Sequence, residues 1–374
     1  MHKVTNQLVQ KKTTFLIALW VIVQFSILYS HGINSNGEAF RFIREARHLI
    51  NHQPFSTPIY FMYLIEILLI FIKIKFSFSY GFIVAIQLLL NLVALLSFKR
   101  FVYSLYGSEK LSLIAASILT ICIPYQFFNS YVYTESIFFS LSIIFSCFLL
   151  NIKEFNTKNL INVSLWLLLL CLTRPTGIFF ISATFMVYFL KATGGMSLLK
   201  RMILFSAITI FFIFLLNNMM GSGKGVNVIS PFREEHIICD VPTVITAGTQ
   251  QPDDNSILGL LTYILKHPRQ FIKMSLLKTI AFFGLNRTYF SLIHNLFTDI
   301  YFYSLYLLII LGIVQWKTNK SIHFVYYFSL VFIFWMLVVF SCDEWNNRFF
   351  LTLTPFLILM ALPAISKWFK KQDS

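Results

Sequence analysis

Long apolar stretches separated by short polar segments run along most of the chain. A helix needs about 20 apolar residues, each rising about 1.5 Å, to cross the hydrocarbon core of a bilayer. Eleven stretches reach or approach that length, namely 14–30, 58–72, 82–98, 111–127, 136–152, 160–172, 178–190, 202–219, 296–315, 323–342 and 349–365. The pattern predicts an all-α, polytopic integral membrane protein.

The composition excludes several other classes of protein. Of the 374 residues, 57% are hydrophobic and 12% are charged, and the mean hydropathy is +0.73. Ordinary soluble domains carry about 25% charged residues. A soluble enzyme, a nucleic-acid-binding domain and a disulfide-stapled secreted module are therefore excluded. The net charge of +15 instead reports topology, because Lys and Arg concentrate in cytoplasmic loops.

Whether the segment 58–72 crosses the membrane determines on which side of the membrane every later loop lies. If it crosses the membrane, thirteen cations lie outside, against the positive-inside rule; these are Lys99, Arg100, Lys110, Lys153, Lys158, Lys191, Lys200, Arg201, Lys317, Lys320, Lys367, Lys370 and Lys371. If it lies along the outer surface, all of them are cytoplasmic, as are the three N-terminal lysines. The segment is short and carries Glu66, Lys73 and Lys75, which suits a surface helix. We therefore predict about ten transmembrane helices with both termini in the cytoplasm.

Two outward regions follow from this topology. The first, 33–79, carries juxtamembrane helices. The second, 221–295, ends in a basic amphipathic run, 257–283, with the cations Lys266, Arg269, Lys273 and Lys278. Such runs more often lie on a membrane surface than cross the membrane. Residues 1–374 are predicted to form a single transmembrane domain that includes both regions.

The stretches 160–172 and 178–190 are each too short to cross about 30 Å of hydrocarbon. Residues 173–177, with the sequence Thr-Arg-Pro-Thr-Gly, interrupt them. Non-helical backbone at membrane depth is tolerated where protein buries it or where it lines a cavity. We therefore predict a cavity that opens to the outer face near Arg174.

Acidic residues are scarce, with 15 Asp and Glu against 30 Lys and Arg, so their positions are informative. Glu38 follows the first predicted span and Glu135 begins the fourth, which places both at the outer face. A carboxylate at the mouth of a membrane cavity can take a proton from a hydroxyl, an effect worth about 10² to 10⁴ in rate. It can also bind a cation.

Each of these candidates also has a purely structural interpretation. Glu38 can pair with Arg41 or with nearby lysines in a solvated loop, and Glu135 can compensate the dipole at the start of a helix. Arg174 can pair with an acid or cap carbonyls at the helix break. The cost of an arginine inside the membrane nevertheless favours a functional role for Arg174.

A metal site has little support in the sequence. His48 and His52 are four residues apart, as metal ligands on one helix face are, but no second ligand-bearing element accompanies them. We assign no metal, and a divalent cation is the one cofactor left open.

Two residue pairs predict contacts between segments. Gln87 and Asn91, four residues apart in one span, predict hydrogen bonds between helices. Cys239 and Cys342 both fall in outward regions and can pair in an oxidising compartment, although their spacing does not require it.

The order of these features resembles the GT-C glycosyltransferases, in particular the bacterial relatives of the protein O-mannosyltransferases and of the lipid A aminoarabinose transferases. In those enzymes the first outward loop begins with a catalytic Asp, an aromatic residue follows four positions later, and Ala or Ser follows eight positions later. Glu38, Phe42 and Ala46 have that spacing, with Glu in place of Asp. The other similar segments are 54–71, 124–135, 172–177, 267–268 and 347–349.

The resemblance implies transfer of a sugar, with inversion, from a polyprenyl-phosphate donor to a glycan, lipid or protein acceptor at the outer face of a bacterial cytoplasmic membrane. Glu38 would be the general base, and Glu135 would orient the sugar or the acceptor. Membrane lipids are the other expected partners, and nucleic acid is not one. The residues that would stabilise the departing phosphate are Arg174 and Arg348, with Lys73 and Lys75 behind them.

Three other functions stay open. Transporters and flippases of lipid-linked sugars also use broken helices near the midplane, although these spans show no evident internal symmetry and the acids gather at one face. Polysaccharide polymerases and ligases use lipid-linked sugars as well. A non-catalytic membrane scaffold is the remaining alternative.

Overall fold

The structure, a computed structural model, describes residues 2–192, 197, 200, 230–239, 241, 257–313 and 321–370. The predicted span 202–219 lies outside these residues. Within them the chain is helical, and its only β pairing is two isolated bridges. The α-helices in chain order are α1 (His2–His31), α2 (Ala39–Ile50), α3 (Leu64–Lys75), α4 (Tyr80–Tyr106), α5 (Glu109–Ile121), α6 (Ile123–Gln126), α7 (Thr134–Asn151), α8 (Thr157–Thr173), α9 (Ile178–Ala192), α10 (Ser230–Arg233), α11 (Ile257–Lys266), α12 (Pro268–Gly284), α13 (Leu292–Ile313), α14 (Ser321–Phe340), α15 (Arg348–Leu351) and α16 (Thr354–Lys370).

Among the described residues, several helices are long and apolar enough to cross a membrane. Five qualify alone, namely Lys11–His31, Tyr80–Tyr106, Thr134–Asn151, Leu292–Ile313 and Ile322–Phe340. Two bent pairs raise the number to seven if each is one span, and they bend by 67° after α5 and by 49° before α16. The prediction of an all-α, polytopic membrane protein is confirmed. Each of the ten predicted spans other than 202–219 overlaps a helix, with α8 and α9 as shorter apolar helices.

The chain divides into two compact units. The first comprises Met1–Phe185, Ile300–Tyr327 and Leu351–Ser374, and the second comprises Met186–Asp299 and Phe328–Phe350. In the first unit α4 packs against α5 and α7, α1 packs against α5, and α7 packs against α8. This packing surrounds α7, which is buried over most of its length.

Buried amides link the helices of the first unit. Gln87 Nε2 donates to the carbonyl of Tyr133 at 3.1 Å, and Trp20 Nε1 donates to Asn91 Oδ1 at 2.8 Å. The prediction that Gln87 and Asn91 form hydrogen bonds between helices is confirmed. Their spacing of four residues places both on one face of α4, where α1 and the start of α7 meet it.

The chain between α1 and α4 forms α2, a 3-10 turn at Pro58–Tyr63 and α3, and α2 packs along α3. Helix α3 has 12 residues, or about 18 Å at 1.5 Å per residue, which is too short to cross the hydrocarbon core. Helix α2 ends at Ile50, and His52 beyond it has a φ of 55°. His48 and His52 therefore do not share a helix face, and the one spacing in the sequence that could have suggested a metal site is not realised on a helix.

The basic run 257–283 is broken at His267 into α11 and α12. On α12, Lys278 is fully buried, donates to the carbonyl of Ser341 at 2.5 Å and lies 3.8 Å from the centroid of the Phe232 ring. Burial lowers the pKa of Lys278 to about 7. Lys278 therefore faces the interior of the protein and does not contribute to an exposed basic face of the run.

A disulfide between Cys239 and Cys342 anchors the second unit. Asp343 N donates to the carbonyl of Ile237 at 2.8 Å, and Cys239 N donates to the carbonyl of Asp343 at 2.9 Å. Disulfides persist in oxidising compartments, which agrees with the outward location predicted for both cysteines.

Candidate active site

The predicted base, Glu38, lies immediately before α2 and does not cap it with its side chain. The side chain is 26% exposed, and Oε1 lies 3.8 Å from Nη1 of Arg41. The predicted pairing with Arg41 is therefore confirmed. An exposed ion pair of this kind is worth about 0–1 kcal/mol, so it is easily exchanged for a contact with a bound hydroxyl.

A short backbone pairing joins the segment that precedes α2 to the segment that precedes α7. Asn34 N donates to the carbonyl of Ser130, and Val132 N donates to the carbonyl of Asn34, each at 2.9 Å. Glu38 comes four residues after Asn34, and Glu135 comes three residues after Val132. The two candidate carboxylates are thus carried on backbone segments that are hydrogen-bonded to each other.

Glu135 and Arg174 form a buried ion pair. Glu135 Oε1 lies 2.6 Å from Arg174 Nη1, and their side chains are 1% and 7% exposed. Of the predicted site residues, the structure therefore brings Glu135 and Arg174 into direct contact. The alternative that Arg174 pairs with an acid is confirmed, and that acid is itself a predicted site residue.

Arg174 reaches Glu135 because the backbone leaves the helix at this point. Helix α8 ends at Thr173, Arg174 is extended with φ −160° and ψ 144°, and a 3-10 turn runs from Pro175 to Gly177. Proline supplies no backbone N–H and disfavours a helical conformation in the residue before it. The break predicted from the sequence is therefore confirmed, and the cavity predicted beside it stays a prediction.

The break also requires glycine at position 177. A Cβ atom there would lie 2.5 Å from the carbonyl carbon of Leu170 and 2.7 Å from the amide nitrogen of Cys171. Both neighbours are backbone atoms of the last turns of α8, so neither can rotate away. The chain folds back against α8 closely because Gly177 has no side chain.

Glu66 is a charged residue whose role the sequence did not indicate. We expected it on the polar face of a surface helix, but the structure buries it completely on α3. Neither of its carboxyl oxygens has a hydrogen-bond partner within the described residues. Burial raises the pKa of Glu66 well above its usual range, and the nearby charge of Glu135 raises it further. The sequence feature that could have indicated this burial is a single acidic residue within an apolar run.

Glu66, Glu135 and Arg174 together contain two carboxyl groups and one guanidinium. If all three were ionised, the three groups would carry one net negative charge in a buried site, and a buried charge without a partner costs several kcal/mol. A proton on Glu66 removes that charge. The arrangement therefore favours a neutral Glu66 beside an ionised Glu135–Arg174 pair.

We expect Glu66→Gln to raise the thermal unfolding temperature at neutral and alkaline pH. In the unfolded chain Glu66 loses its proton near a pKa of about 4.3, whereas the folded protein keeps the proton to higher pH. The free energy of unfolding therefore falls as pH rises from that value up through the folded-state pKa. Glutamine does not titrate, so at about pH 8 the variant should gain about 1 kcal/mol or more, or roughly 2 °C.

The measurement is thermal unfolding of the detergent-solubilised protein at about pH 5 and about pH 8. The stability that Glu66→Gln gains over the wild-type protein should be smaller at the lower pH. Glu154→Gln, at an exposed position after α7, is the matched control and should leave the unfolding temperature unchanged at both pH values. A Glu66→Gln variant that is less stable at the higher pH would show that Glu66 is ionised and compensated.

The two predicted lysine ligands contact aromatic rings. Lys73 Nζ lies 4.3 Å from the centroid of the Tyr80 ring, and Lys75 Nζ lies 5.6 Å from the centroid of the Phe71 ring. Cation–π contacts of this kind hold an ammonium group without neutralising it. Both lysines therefore keep a positive charge at the end of α3.

Arg348 begins α15 in the second unit and is 7% exposed. Its Nη2 lies 3.4 Å from Glu344 Oε2, and its Nε donates to the carbonyl of Trp345 at 3.0 Å. Like Arg174, Arg348 is paired with an acid.

The second unit contains another buried ion pair, which no local pattern in the sequence indicates. Arg287 Nη2 donates to Asp343 Oδ2 in a close contact between side chains that are 4% and 0% exposed. The partners are 56 residues apart in the chain, so no local spacing indicates the pairing. Asp343 directly follows Cys342, and the ion pair therefore fixes α12 and its following turn beside the disulfide.

A scan of protein-family models and searches of curated proteins and of solved structures found no match to this chain.

Proposed function

We propose that this protein is a GT-C-type glycosyltransferase with ten transmembrane helices and both termini in the cytoplasm. It transfers a sugar from a polyprenyl-phosphate donor to a glycan, lipid or protein acceptor at the outer face of a bacterial cytoplasmic membrane. Glu38 takes the proton of the acceptor hydroxyl while the hydroxyl oxygen attacks the anomeric carbon. The bond from that carbon to the phosphate oxygen breaks, and the configuration inverts.

The position of Glu38 is the observation that carries this proposal. Its carboxylate is 26% exposed at the start of α2, on backbone that is paired with the segment leading to Glu135. A general base must come within hydrogen-bond reach of its substrate, which requires both access and a fixed position. Glu38 has both.

The buried ion pair changes the role that we assign to Arg174. Its charge is offset by Glu135 at 2.6 Å, and Glu66 adds a second carboxyl group nearby. A phosphate gains little attraction from such a cluster. We therefore assign the phosphate to Lys73 and Lys75, and we assign orientation of the sugar to the Glu135–Arg174 pair.

The proposal predicts that Glu38→Gln abolishes sugar transfer. Glutamine keeps the size and hydrogen-bonding capacity of the side chain but cannot accept the proton, so transfer should fall by about 10² to 10⁴. The measurement is release of polyprenyl phosphate from labelled polyprenyl-phosphate hexoses and pentoses, in membranes that contain the full-length protein.

Two control variants accompany this experiment. Glu154→Gln makes the same chemical change at an exposed position and should leave transfer unchanged. Glu38→Asp keeps the carboxylate and should keep part of the activity. Full transfer by Glu38→Gln, at normal expression and membrane insertion, would eliminate Glu38 as the base.

A second candidate function is transport or flipping of lipid-linked sugars. The carboxyl group of Glu66, which is buried and has no hydrogen-bond partner in the part of the chain that the structure describes, favours it, because buried ionisable groups in membrane proteins often belong to proton or substrate pathways. Deletion of the gene distinguishes the two functions. A lipid-linked sugar should accumulate on the outer leaflet if the protein is a transferase and on the cytoplasmic leaflet if it is a flippase.

A further inference from the structure

The hydroxyl group of Tyr133 holds the turn that precedes Glu38. Tyr133 Oη donates to the carbonyl of Asn36 at 2.9 Å and accepts a hydrogen bond from Glu38 N at 3.4 Å. A single hydroxyl therefore contacts the backbone on both sides of Gly37. Because Glu38 leads directly into α2, these contacts define where its side chain leaves the backbone.

Gly37 is adapted to this contact in two ways. Its φ of +66° lies in the left-handed region that favours glycine. A Cβ atom at this position would lie 2.7 Å from Tyr133 Oη, so the hydroxyl occupies the space that any side chain would need. The turn and the tyrosine hydroxyl therefore fit each other closely.

Tyr133 is itself held firmly in place. Its carbonyl accepts a hydrogen bond from the buried amide of Gln87 on α4, and its ring packs 5.0 Å from that of Tyr131. It is 8% exposed and is the last residue before α7. The hydroxyl is thus anchored to helices of the first unit and does not simply follow the loop.

We propose that Tyr133 is a positioning residue for Glu38. This inference rests on the proposed function. Tyr133 sets the distance from the base, Glu38, to the pair of Glu135 and Arg174, since Glu135 comes two residues after Tyr133. Misplacement of a catalytic group by about 1 Å can cost about 10²-fold in rate. One tyrosine hydroxyl therefore controls the register between the base and the sugar-orienting pair.

The test is Tyr133→Phe, which removes only the hydroxyl. Hydrogen exchange at the Glu38 amide of the full-length, detergent-solubilised protein should accelerate at least about 10-fold, because this amide loses its acceptor. In the transfer assay kcat should fall about 10- to 100-fold, while KM for the polyprenyl-phosphate donor changes less than about 3-fold. Tyr131→Phe, at the neighbouring tyrosine on the same segment, is the matched control and should change neither quantity.

Each outcome decides the proposal. Faster exchange together with a lower kcat supports it. Unchanged exchange overturns it whether or not activity changes, and faster exchange with a normal kcat also overturns it. Absence of transfer by the wild-type protein with every donor overturns the proposed function and with it the catalytic role, whereas the exchange rate still reports whether Tyr133 holds the turn.

Discussion

An Arg174→Gln variant is expected to lose about 3–5 kcal/mol of stability, because it removes the cation that is paired with Glu135 in a buried site. Glu135, which is 1% exposed, would lose its ion pair with Arg174, and the fully buried Glu66 would lie nearby. The loss should appear as a fall on the order of 10 °C in the unfolding temperature of the solubilised protein. Little of the variant should be recovered from membranes.

A second substitution tests the mechanism of this loss. Glu135→Gln should be destabilising in the wild-type background, where it leaves Arg174 unpaired, and should restore stability in the Arg174→Gln background. The double-mutant cycle should give a coupling energy of about 1–3 kcal/mol. Additive effects of the two substitutions would contradict the ion pair. Lys99 and Glu109, which form an ion pair elsewhere in the first unit, provide a comparison pair.

A Gly177→Ala variant is expected to disrupt the fold at the helix break. The added methyl group would lie 2.5 Å from the backbone of Leu170, a contact that forces the chain after Arg174 away from α8. Overpacking against rigid neighbours costs about 1–3 kcal/mol and sometimes more. Because the displaced segment directly follows Arg174, loss of the ion pair with Glu135 should add to that cost.

The measurement is the fraction of detergent-extracted protein that elutes as a single symmetric peak in gel filtration. Gly32→Ala is the matched control, because Gly32 has a φ of +66° but no atom within 4 Å of its Cβ position. The Gly32→Ala variant should lose only the conformational cost of about 1–2 kcal/mol that a non-glycine residue has in the left-handed region. If both variants gave the same fraction of protein in a single peak, close packing of Gly177 against α8 would not be what determines the helix break.

Hydropathy and local spacing predict the helices well, because each apolar run must be buried in lipid or in protein. They also predict the interruption at 173–177, where Pro175 and Gly177 act through the local backbone. Contacts between residues that are distant in the chain are not predicted by these local patterns. Glu135 meets Arg174 only because α7 packs on α8, and no periodicity encodes which acid a break residue reaches.

Glu66 shows why burial of a single residue is harder to predict. One acid and two lysines on a 12-residue helix have the composition of a surface helix, and Lys73 and Lys75 fit that description. Glu66 is buried because α2 and α8 both pack against α3, an arrangement that follows from tertiary packing. A polar residue in a short apolar helix therefore has two possible environments, and only the neighbouring helices select between them.

The disulfide gives the second half of the chain an unusual covalent connectivity. It joins Cys239 to Cys342 across 103 residues, so α11, α12, α13 and α14 all lie within one closed ring. A single cut in the backbone of this ring opens it without releasing a fragment. Helix α16 would stay covalently attached to the N-terminal half through the sulfur bridge, and the two pieces would separate only after reduction.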